Sequence, residues 1–473
     1  MNFHSPALVF QTKAIRLLKL LFCSTSQISM LSAGTVLLLF FIGTGCGGNQ
    51  SVESEVNTKK KTISSYLKEI QKSPDGIHLF GHESAIMMGV SGASDWEIKN
   101  VDQLGSDIMS QKSDVLKMTG NQPAIMGYDA FKLILDITDN KSRMPEVEAS
   151  IKGLKTYIDH GGLIAFNWHI QPVKLPAYRE RAYRMDEFNN NPYIEQMKKE
   201  KPFYNIANGF ESKNQWWMAY ENNRLSPMAE RLKMISKDGS GIIFRPFHEA
   251  DGSWFWWGLE WLEGDQELNG KKALQKVFIE TARYLKKELP ELLIAFSTDK
   301  LDYVNHNDTD DQLELAQRYS DEFKTYLPDA TKDLDLVDIY GMDLYINADN
   351  PSRFDDYSIK LQGLTLLANE HDKICAITEA GNRGLPSEED GRQPCINWYS
   401  DYLAAWIEDP KIDIAFNVVW QNWSNNRDRN TPDPADGYFV PVYPDSEPGV
   451  DFINYIQKPE SLMLNDLKNT LSR

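Results

Sequence analysis

The chain has 473 residues, 11 % of them aromatic, and a formal net charge of −18 at pH 7. Such an acidic surface disfavours nucleic acid as a partner, because that binding rests largely on Lys and Arg contacts to phosphate. A polyanionic substrate is disfavoured for the same reason, whereas a neutral polymer is compatible with this charge.

The first 46 residues have the order of a signal peptide. Basic residues precede an uncharged, mostly aliphatic run from Met30 to Ile42, and small residues then lead to Cys46. Small residues directly before a cysteine resemble a bacterial lipobox, although Gly43 stands where such a motif usually carries Leu or Val. We therefore expect export and acylation of Cys46, with the protein at a membrane surface or in the periplasm, or otherwise secreted. A membrane-spanning anchor is the alternative, but the run is short for a span of about 20 residues.

Residues 47–60 are polar and predict a tether, and a catalytic domain is expected from 61 to 473. In this domain, short runs dense in Ile, Val, Phe and Leu predict strands that are buried on both faces. The predicted strands are Ile77–Glu83, Ala124–Asp129, Leu163–His169, Gly241–Glu249, Leu292–Ser297, Val337–Tyr345, Ile374–Glu379 and Ile414–Asn422.

Apolar residues at helical spacing lie between these strands. One such series, Val147 to Ile158, stops at Gly161, and another, Leu274 to Leu285, stops before Pro290. Eight strands with helical intervals predict a closed (β/α)₈ TIM barrel as a single domain. An open doubly wound sheet is the alternative, but no Gly-rich phosphate loop follows the first strand.

The longest irregular interval runs from Gln171 to about Glu230 and is rich in Tyr, Asn, Lys and Arg. In a barrel this interval is an insertion after strand three, on or near the catalytic face. Of the four cysteines, only Cys375 and Cys395 lie in the predicted domain, so one disulfide is the most that it could contain.

Polar residues cluster at the ends of the predicted strands, where barrel active sites form. They are His82, Glu83, Asp129, Asn167, His169, His248, Glu249, Asp343, Tyr345, Glu379, Trp420 and Gln421. Any one of them alone could be a satisfied core or surface group. Their shared position at strand ends favours an active site.

Two carboxylates stand out in that set. Glu249 closes the segment Phe244 to Glu249, and Glu379 closes Ile377-Thr378-Glu379. A retaining glycosidase needs one protonated carboxyl group as acid and one ionised carboxylate as nucleophile, about 5–5.5 Å apart. Strands four and seven are well separated around a barrel, so their ends can bracket a sugar. This pattern predicts Glu249 as acid/base and Glu379 as nucleophile.

An indole-rich run, Trp254 to Trp257, follows Glu249. Apolar rings around a carboxyl group raise its pKa, as an acid at neutral pH requires. Packing at the barrel rim is the plain explanation for any one ring, and a sugar platform is preferred for Trp254, which the Asp251-Gly252 turn should lift into the cleft. His248 is expected to bind substrate or a carboxylate. No second His lies at a chelating spacing, so neither a metal nor another cofactor is expected.

At these residues the sequence resembles family 26 glycoside hydrolases, chiefly the endo-β-1,4-mannanases. The resemblance runs from about Leu79 to the C-terminus and is carried by Arg245-Pro246-Phe247-His248-Glu249 with its trailing tryptophans, and by Thr378-Glu379-Ala380-Gly381. It implies the same two catalytic glutamates.

The resemblance also implies a set of substrate contacts. His169 is similar to the family's strand-three substrate histidine, Trp254 to an aromatic that packs on the sugar, and Tyr345 to a tyrosine that hydrogen-bonds the nucleophile. Trp420 resembles the platform under the sugar at the cleavage point. Gln421 departs from the family, since such mannanases commonly carry Arg there, and the neutral, shorter side chain puts substrate choice in doubt.

Three functions are open to the sequence. The first is an endo-β-1,4-mannanase acting on mannan, glucomannan or galactomannan. The second is a β-glucanase or β-xylanase on the same scaffold. The third is a surface glycan-binding lipoprotein without turnover, against which the two placed carboxylates speak because a binder needs neither.

Overall fold

The repeated alternation of strand and helix closes into a parallel barrel. The structure is a computed structural model that describes residues 62–91, 94–138, 141–173, 185, 194–259, 270–299, 301, 304, 309, 311–328, 332–346, 353–382, 395–422 and 439–471. In chain order the strands are β1 (His78–Glu83), β2 (Met88–Ser91), β3 (Ser94–Glu97), β4 (Ile125–Asp129), β5 (Leu163–Trp168), β6 (Ile242–Pro246), β7 (Leu293–Thr298), β8 (Ile339–Ile346), β9 (Ile374–Asn382), β10 (Phe416–Val419) and β11 (Ser461–Leu462).

Barrel closure follows from the strand order. The strands β1 and β4 to β10 pair in parallel with their sequence neighbours, and β10 pairs in parallel with β1, from Phe416↔Leu79 to Val419↔His82. Strands β2 and β3 form an antiparallel hairpin after β1, and β11 pairs with the start of β1. All eight predicted strands form, which confirms the (β/α)₈ prediction, and the doubly wound alternative is wrong because the sheet closes on itself.

Helices fill the intervals between the strands. They are Ile63–Gln71, Ile108–Gln111, Asp114–Thr119, Leu135–Thr138, Met144–Asp159, Ile194–Glu200, Pro202–Gly209, Gln215–Tyr220, Ser226–Ile235, Gly270–Glu288, Gln312–Lys324, Arg353–Glu370, Ala405–Glu408, Glu447–Gln457 and Leu464–Leu471. The two helices predicted from apolar spacing are Met144–Asp159 and Gly270–Glu288, and each buries its apolar face. Within the described ranges, no helix is long and apolar enough to cross a membrane.

Three details differ from the sequence-based expectation. The strand predicted to reach Glu249 ends at Pro246, because Phe247 and Glu249 have φ values of 54° and 51°, outside the range of extended backbone. The strand predicted as Ile414–Asn422 is limited to Phe416–Val419. The interval from Gln171 to Glu230 is helical over much of its second half, including Pro202–Gly209 and Gln215–Tyr220.

The barrel interior changes character along its axis. In β5, the rings of Phe166 and Trp168 pack against Phe244, and Ala165 and Asn167 line a small cavity inside the barrel. Near the carboxyl ends of the strands the interior is filled by polar side chains, among them Glu83 and Arg245. The sheet therefore places buried charged side chains at the end of the barrel formed by the carboxyl ends of its strands.

The N-terminal predictions lie outside the described residues. Cys46 and the tether over 47–60 are among them, and the division of the chain at residues 46 and 60 stays a prediction. Cys375 and Cys395, the two cysteines of the barrel, are both buried and are not joined in a disulfide.

Candidate active site

The predicted site residues of the barrel lie together at the carboxyl ends of its strands. Glu249 follows β6, and Glu379 lies in β9. Both side chains are buried, at 7 % and 6 % exposure. Both interact electrostatically with Arg245, which lies in β6, the strand that leads to Glu249. The two glutamates thus share one charged neighbour, as a paired site requires.

Glu249 is presented by a turn and not by the strand itself. Its backbone N–H donates to the carbonyl of Ser297 in β7 (3.2 Å), and its own carbonyl accepts from Gly252 N–H (3.0 Å). The left-handed backbone at Phe247 and Glu249 is costly for residues with a Cβ atom, and such conformations concentrate at functional sites. The turn places the carboxyl group clear of the strand ladder.

Glu379 is placed by an irregularity in β9. The β8–β9 register shifts between Met342↔Ile377 and Asp343↔Glu379, so that Thr378 is an extra residue. A bulge of this kind re-aims side chains. As a result Thr378 and Glu379, although consecutive, both contribute to the polar end of the barrel: Thr378 Oγ1 donates to Asp343 Oδ1 (2.7 Å), and Glu379 contacts Arg245.

Two donors hold the carboxylate of Glu379. Arg245 Nη2 donates to Oε2 (2.7 Å), and the Tyr345 hydroxyl donates to Oε1. Hydrogen bonds to a charged acceptor are stronger than neutral ones and favour the ionised form. Glu379 is therefore set up as a carboxylate whose oxygens are both oriented.

Arg245 also binds a second carboxyl group. Its Nη1 donates to Asp343 Oδ2 and to Ser297 Oγ (3.0 Å). Burial raises the pKa of Asp343 to about 8, with Arg245 opposing and Glu379 reinforcing the rise. Arg245 is thus bound to two carboxyl groups, Asp343 and Glu379, and its positive charge interacts with both.

Glu249 has the opposite environment from Glu379. Burial raises its pKa well above the usual range, and the negative charges of Asp299, Glu379 and Asp343 add to the rise. The indole N–H of Trp254 donates to Glu249 Oε2 (2.6 Å) and orients the carboxyl group. The site thus joins a carboxyl group held toward its acid form to one that accepts a hydrogen bond on each oxygen.

The aromatic run after Glu249 divides into two roles. Trp256 and Trp257 are buried and donate to backbone carbonyls of Ile170 (2.7 Å) and His248 (2.9 Å), which is rim packing. Trp254 is only partly buried, and its ring lies against Gly252, where an added Cβ would come within 2.4 Å of it. Trp254 is the ring of this run that contacts a predicted catalytic residue.

Two histidines and a tryptophan form the adjoining wall. The rings of His169 and His248 meet edge to face at 4.8 Å, and His169 meets Trp420 at 6.3 Å. Asp129 Oδ2 lies 3.1 Å from His169 Nδ1, and a carboxylate there fixes the proton on Nδ1. The buried Nδ1 of His248 has no hydrogen-bond partner among the described residues, and burial lowers the pKa of this ring well below its usual value.

Gln421 lies beside Trp420 at the same end of the barrel. Its Oε1 accepts a hydrogen bond from the Ser84 hydroxyl (3.3 Å), and both Trp420 and Gln421 are partly exposed. The amide oxygen of Gln421 is therefore already hydrogen-bonded, and its NH₂ group is the donor that it can offer to a ligand.

The sequence reasoning missed what holds the pair. Arg245 was noted only as part of a motif, although an arginine inside a buried strand must find carboxylate partners. The bulge at Thr378 left no sequence signal. Among the described residues, no group of three His, Cys, Asp or Glu side chains could hold a metal ion.

Comparison with known proteins identifies a family and several relatives that are similar to this chain. The family model described as Glycosyl hydrolase family 26 matches residues 52–429. A mannan endo-1,4-beta-mannosidase of Bifidobacterium adolescentis is 25 % identical over 389 residues, covering 80 % of this chain and 33 % of that protein. A mannan endo-1,4-beta-mannosidase of Bacillus subtilis (strain 168) is 27 % identical over 276 residues, 58 % of this chain and 61 % of that protein. The chain thus spans about a third to three-fifths of the length of these relatives.

Solved structures show the same fold. A GH26 β-mannanase from Bacteroides ovatus superposes with a TM-score of 0.59 at 20 % identity, over 85 % of this chain and 95 % of that chain. GH26C from Muricauda sp. gives 0.61 at 22 % identity, over 86 % and 93 %. At these identities the likeness concerns the barrel and not the substrate.

Proposed function

The chain belongs to glycosyl hydrolase family 26, and from this premise we propose that it is a retaining endo-β-1,4-mannanase acting on mannan, glucomannan or galactomannan. One observation carries the proposal: two buried glutamates at one end of a barrel have opposite surroundings. Burial favours the neutral acid at Glu249, whereas two hydrogen-bond donors favour the carboxylate at Glu379. Retaining hydrolysis needs this division of roles.

In the first step, Glu379 attacks the anomeric carbon and Glu249 gives its proton to the departing glycosidic oxygen. The bond from that carbon to the leaving oxygen breaks as the bond to Glu379 forms, which produces a covalent glycosyl-enzyme. Charge moves off Glu379 in this step, while Arg245 and Tyr345 keep its oxygens oriented. Tyr345 is therefore proposed to position the nucleophile.

In the second step, Glu249, now a carboxylate, takes a proton from water. The resulting hydroxide attacks the anomeric carbon, the bond to Glu379 breaks, and the sugar leaves with its original anomeric configuration. The N–H of Trp254 stabilises Glu249 in the interval in which that group is ionised. The two carboxyl groups are expected about 5–5.5 Å apart, and a crystal structure is the measurement of that separation.

Substrate contacts follow from the wall of the site. Trp420 is proposed as the platform under the sugar at the cleavage point, with Trp254 packing beside it and with His169 and His248 as hydrogen-bond partners of sugar hydroxyls. The assignment to mannan is supported by relatives named mannan endo-1,4-beta-mannosidase. A neutral polysaccharide also agrees with the net charge of −18.

The test is a reducing-sugar assay on mannan, glucomannan, mixed-linkage glucan and xylan. The proposal expects mannose-containing oligomers from wild type and from a Glu291→Gln control, which removes an exposed carboxylate at the start of the β7 region. Glu379→Ala is expected to remove activity on every substrate. Activity of Glu379→Ala equal to that of wild type would refute the nucleophile.

A β-glucanase or β-xylanase is the second candidate, and Gln421 favours it. This neutral amide stands where the resemblance places Arg, and its oxygen is already bound to Ser84. Release of glucose or xylose oligomers alone in the same assay would put this candidate first. A glycan-binding protein without turnover is the third, and it predicts binding of a polysaccharide with no product.

The proposed location is outside the cytoplasm, with Cys46 as the acylated residue of a lipoprotein. This rests on the order of basic, apolar and small residues before Cys46. Expression in a bacterial host with a labelled fatty acid is the test. Label on wild type but not on Cys46→Ala is expected, and unlabelled protein released to the medium contradicts the lipid anchor.

A further inference from the structure

A third glutamate is buried in the barrel, close enough to Glu379 to interact with it electrostatically. Glu83 ends β1 and is 2 % exposed. Its side chain passes over Gly127 of the neighbouring strand, where an added Cβ would lie 1.9 Å from Glu83 Oε2. Only glycine at position 127 leaves room for this carboxyl group, so the barrel is built around it.

Glu83 borders a small polar cavity inside the barrel. The cavity measures about 10 Å³, and its polar lining comes from Glu83, Asn167, Arg245 and Thr378. Two oxygens of this lining, Glu83 Oε1 and Asn167 Oδ1, are buried and have no hydrogen-bond partner among the described residues. Buried polar groups of this kind are normally satisfied, and a polar cavity of roughly 10–15 Å³ is the smallest that holds a water molecule.

The charges that face Glu83 have both signs. Glu379 and Asp129 are negative, whereas Arg245 and Lys132 are positive. Burial, followed by the two carboxylates, raises the pKa of Glu83 well above its usual range, and the two cations oppose the rise. A neutral carboxyl group offers an O–H donor in the barrel and takes no share of the charge of Arg245.

We propose that Glu83, as a neutral carboxylic acid, holds one ordered water in this cavity together with Asn167, and that this unit keeps Arg245 seated on Glu379. Glu83 is thereby a positioning residue for the reaction and touches no substrate. Its effect on the nucleophile rests on the proposed function, whereas the water and the proton on Glu83 do not.

Two measurements test the unit without turnover. A high-resolution crystal structure is expected to show one water within hydrogen-bond distance of Glu83 Oε1 and Asn167 Oδ1. The infrared difference between wild type and Glu83→Gln at pH 7 is expected to contain the carbonyl band of a protonated carboxylic acid. An empty cavity, or a carboxylate band in place of the acid band, would overturn the proposal.

The effect on the nucleophile is read from the acid limb of kcat/KM on the polysaccharide that wild type cleaves. Glu83→Leu removes the donor and the water, so Arg245 is held less firmly on Glu379 and the acid limb moves up by about one pH unit. Glu83→Gln keeps a neutral donor and is expected to leave the limb in place. A downward move in Glu83→Gln would mean that Glu83 was ionised, and no move in Glu83→Leu would mean that it positions nothing.

The two failures are distinguishable. If wild type cleaves no polysaccharide, the proposed function fails, but the crystal and infrared results still stand or fall by themselves. If Glu83→Leu does not fold, Glu83→Gln retains the shape of the side chain and supplies both the spectrum and the pH profile.

Discussion

At the scale of single residues, the site depends on what each carboxyl group is bonded to. Glu249 receives one indole N–H, and Glu379 receives a guanidinium and a phenol. The two glutamates therefore differ in chemistry because their hydrogen-bond partners differ. Each of these contacts can be removed by a single substitution with a defined result.

Glu249→Ala separates the two chemical steps. We expect a loss of about 10²–10⁴-fold on polysaccharide, the usual contribution of a general acid, because the sugar leaving group needs a proton. An aryl glycoside with an acidic phenol needs none, so its first step is expected to be nearly unaffected. Pre-steady-state release of the phenol is the measurement, and an equal loss on both substrates contradicts the acid assignment.

Trp254→Phe is expected to move the basic limb of the kcat profile upward. The indole N–H stabilises the ionised form of Glu249, so its removal raises the pKa of that group further, while the phenyl ring retains most of the burial. Glu249 then keeps its proton to higher pH, by about one unit for a charged hydrogen bond. A pH–rate profile checks the shift, and a downward move contradicts it.

At the scale of elements, the strands could be predicted from sequence and their irregular ends could not. Buried parallel strands give continuous apolar runs, so all eight were found. The left-handed turn at Phe247 and Glu249 and the bulge at Thr378 have no comparable composition signal, because they arise when neighbouring strands are paired. The residue types of the site were therefore predictable, whereas Arg245 as its centre was not.

The turn after Glu249 gives a prediction of its own. In Gly252→Ala the new methyl group would lie 2.4 Å from the Trp254 ring, so the ring must move and its N–H must leave Glu249. We expect the same upward shift of the basic limb as in Trp254→Phe, with a stability loss of about 1–3 kcal/mol from overpacking. Thermal unfolding and the pH–rate profile measure the two effects, and an unshifted limb would show that the turn adapts.

At the scale of the whole molecule, the barrel encloses carboxyl groups that titrate differently when the chain unfolds. An unfolded Glu loses its proton near pH 4.3, but burial raises the pKa of Glu83 well above that value. Because the folded state then holds the extra proton, the stability from this group is complete below about pH 4.3 and is lost as pH rises toward the folded pKa.

Glu83→Gln does not titrate and is expected to flatten that loss. The free energy of unfolding of wild type should fall relative to the variant by up to about 1.4 kcal/mol per pH unit above pH 4.3. Urea unfolding of both proteins at pH 5, 6 and 7 is the measurement. Parallel pH dependences would show that Glu83 titrates normally in the fold.

The ion pairs of Arg245 are enclosed by the barrel, whereas carboxylates such as Asp372 and Glu195 are largely exposed to solvent. Dissolved ions screen exposed charges over about 8 Å at physiological ionic strength and hardly reach buried ones. Added sodium chloride should thus change colloidal behaviour and encounters with other charged molecules while leaving kcat nearly constant. Solutions of high and of low ionic strength would then be equivalent media for the chemical step.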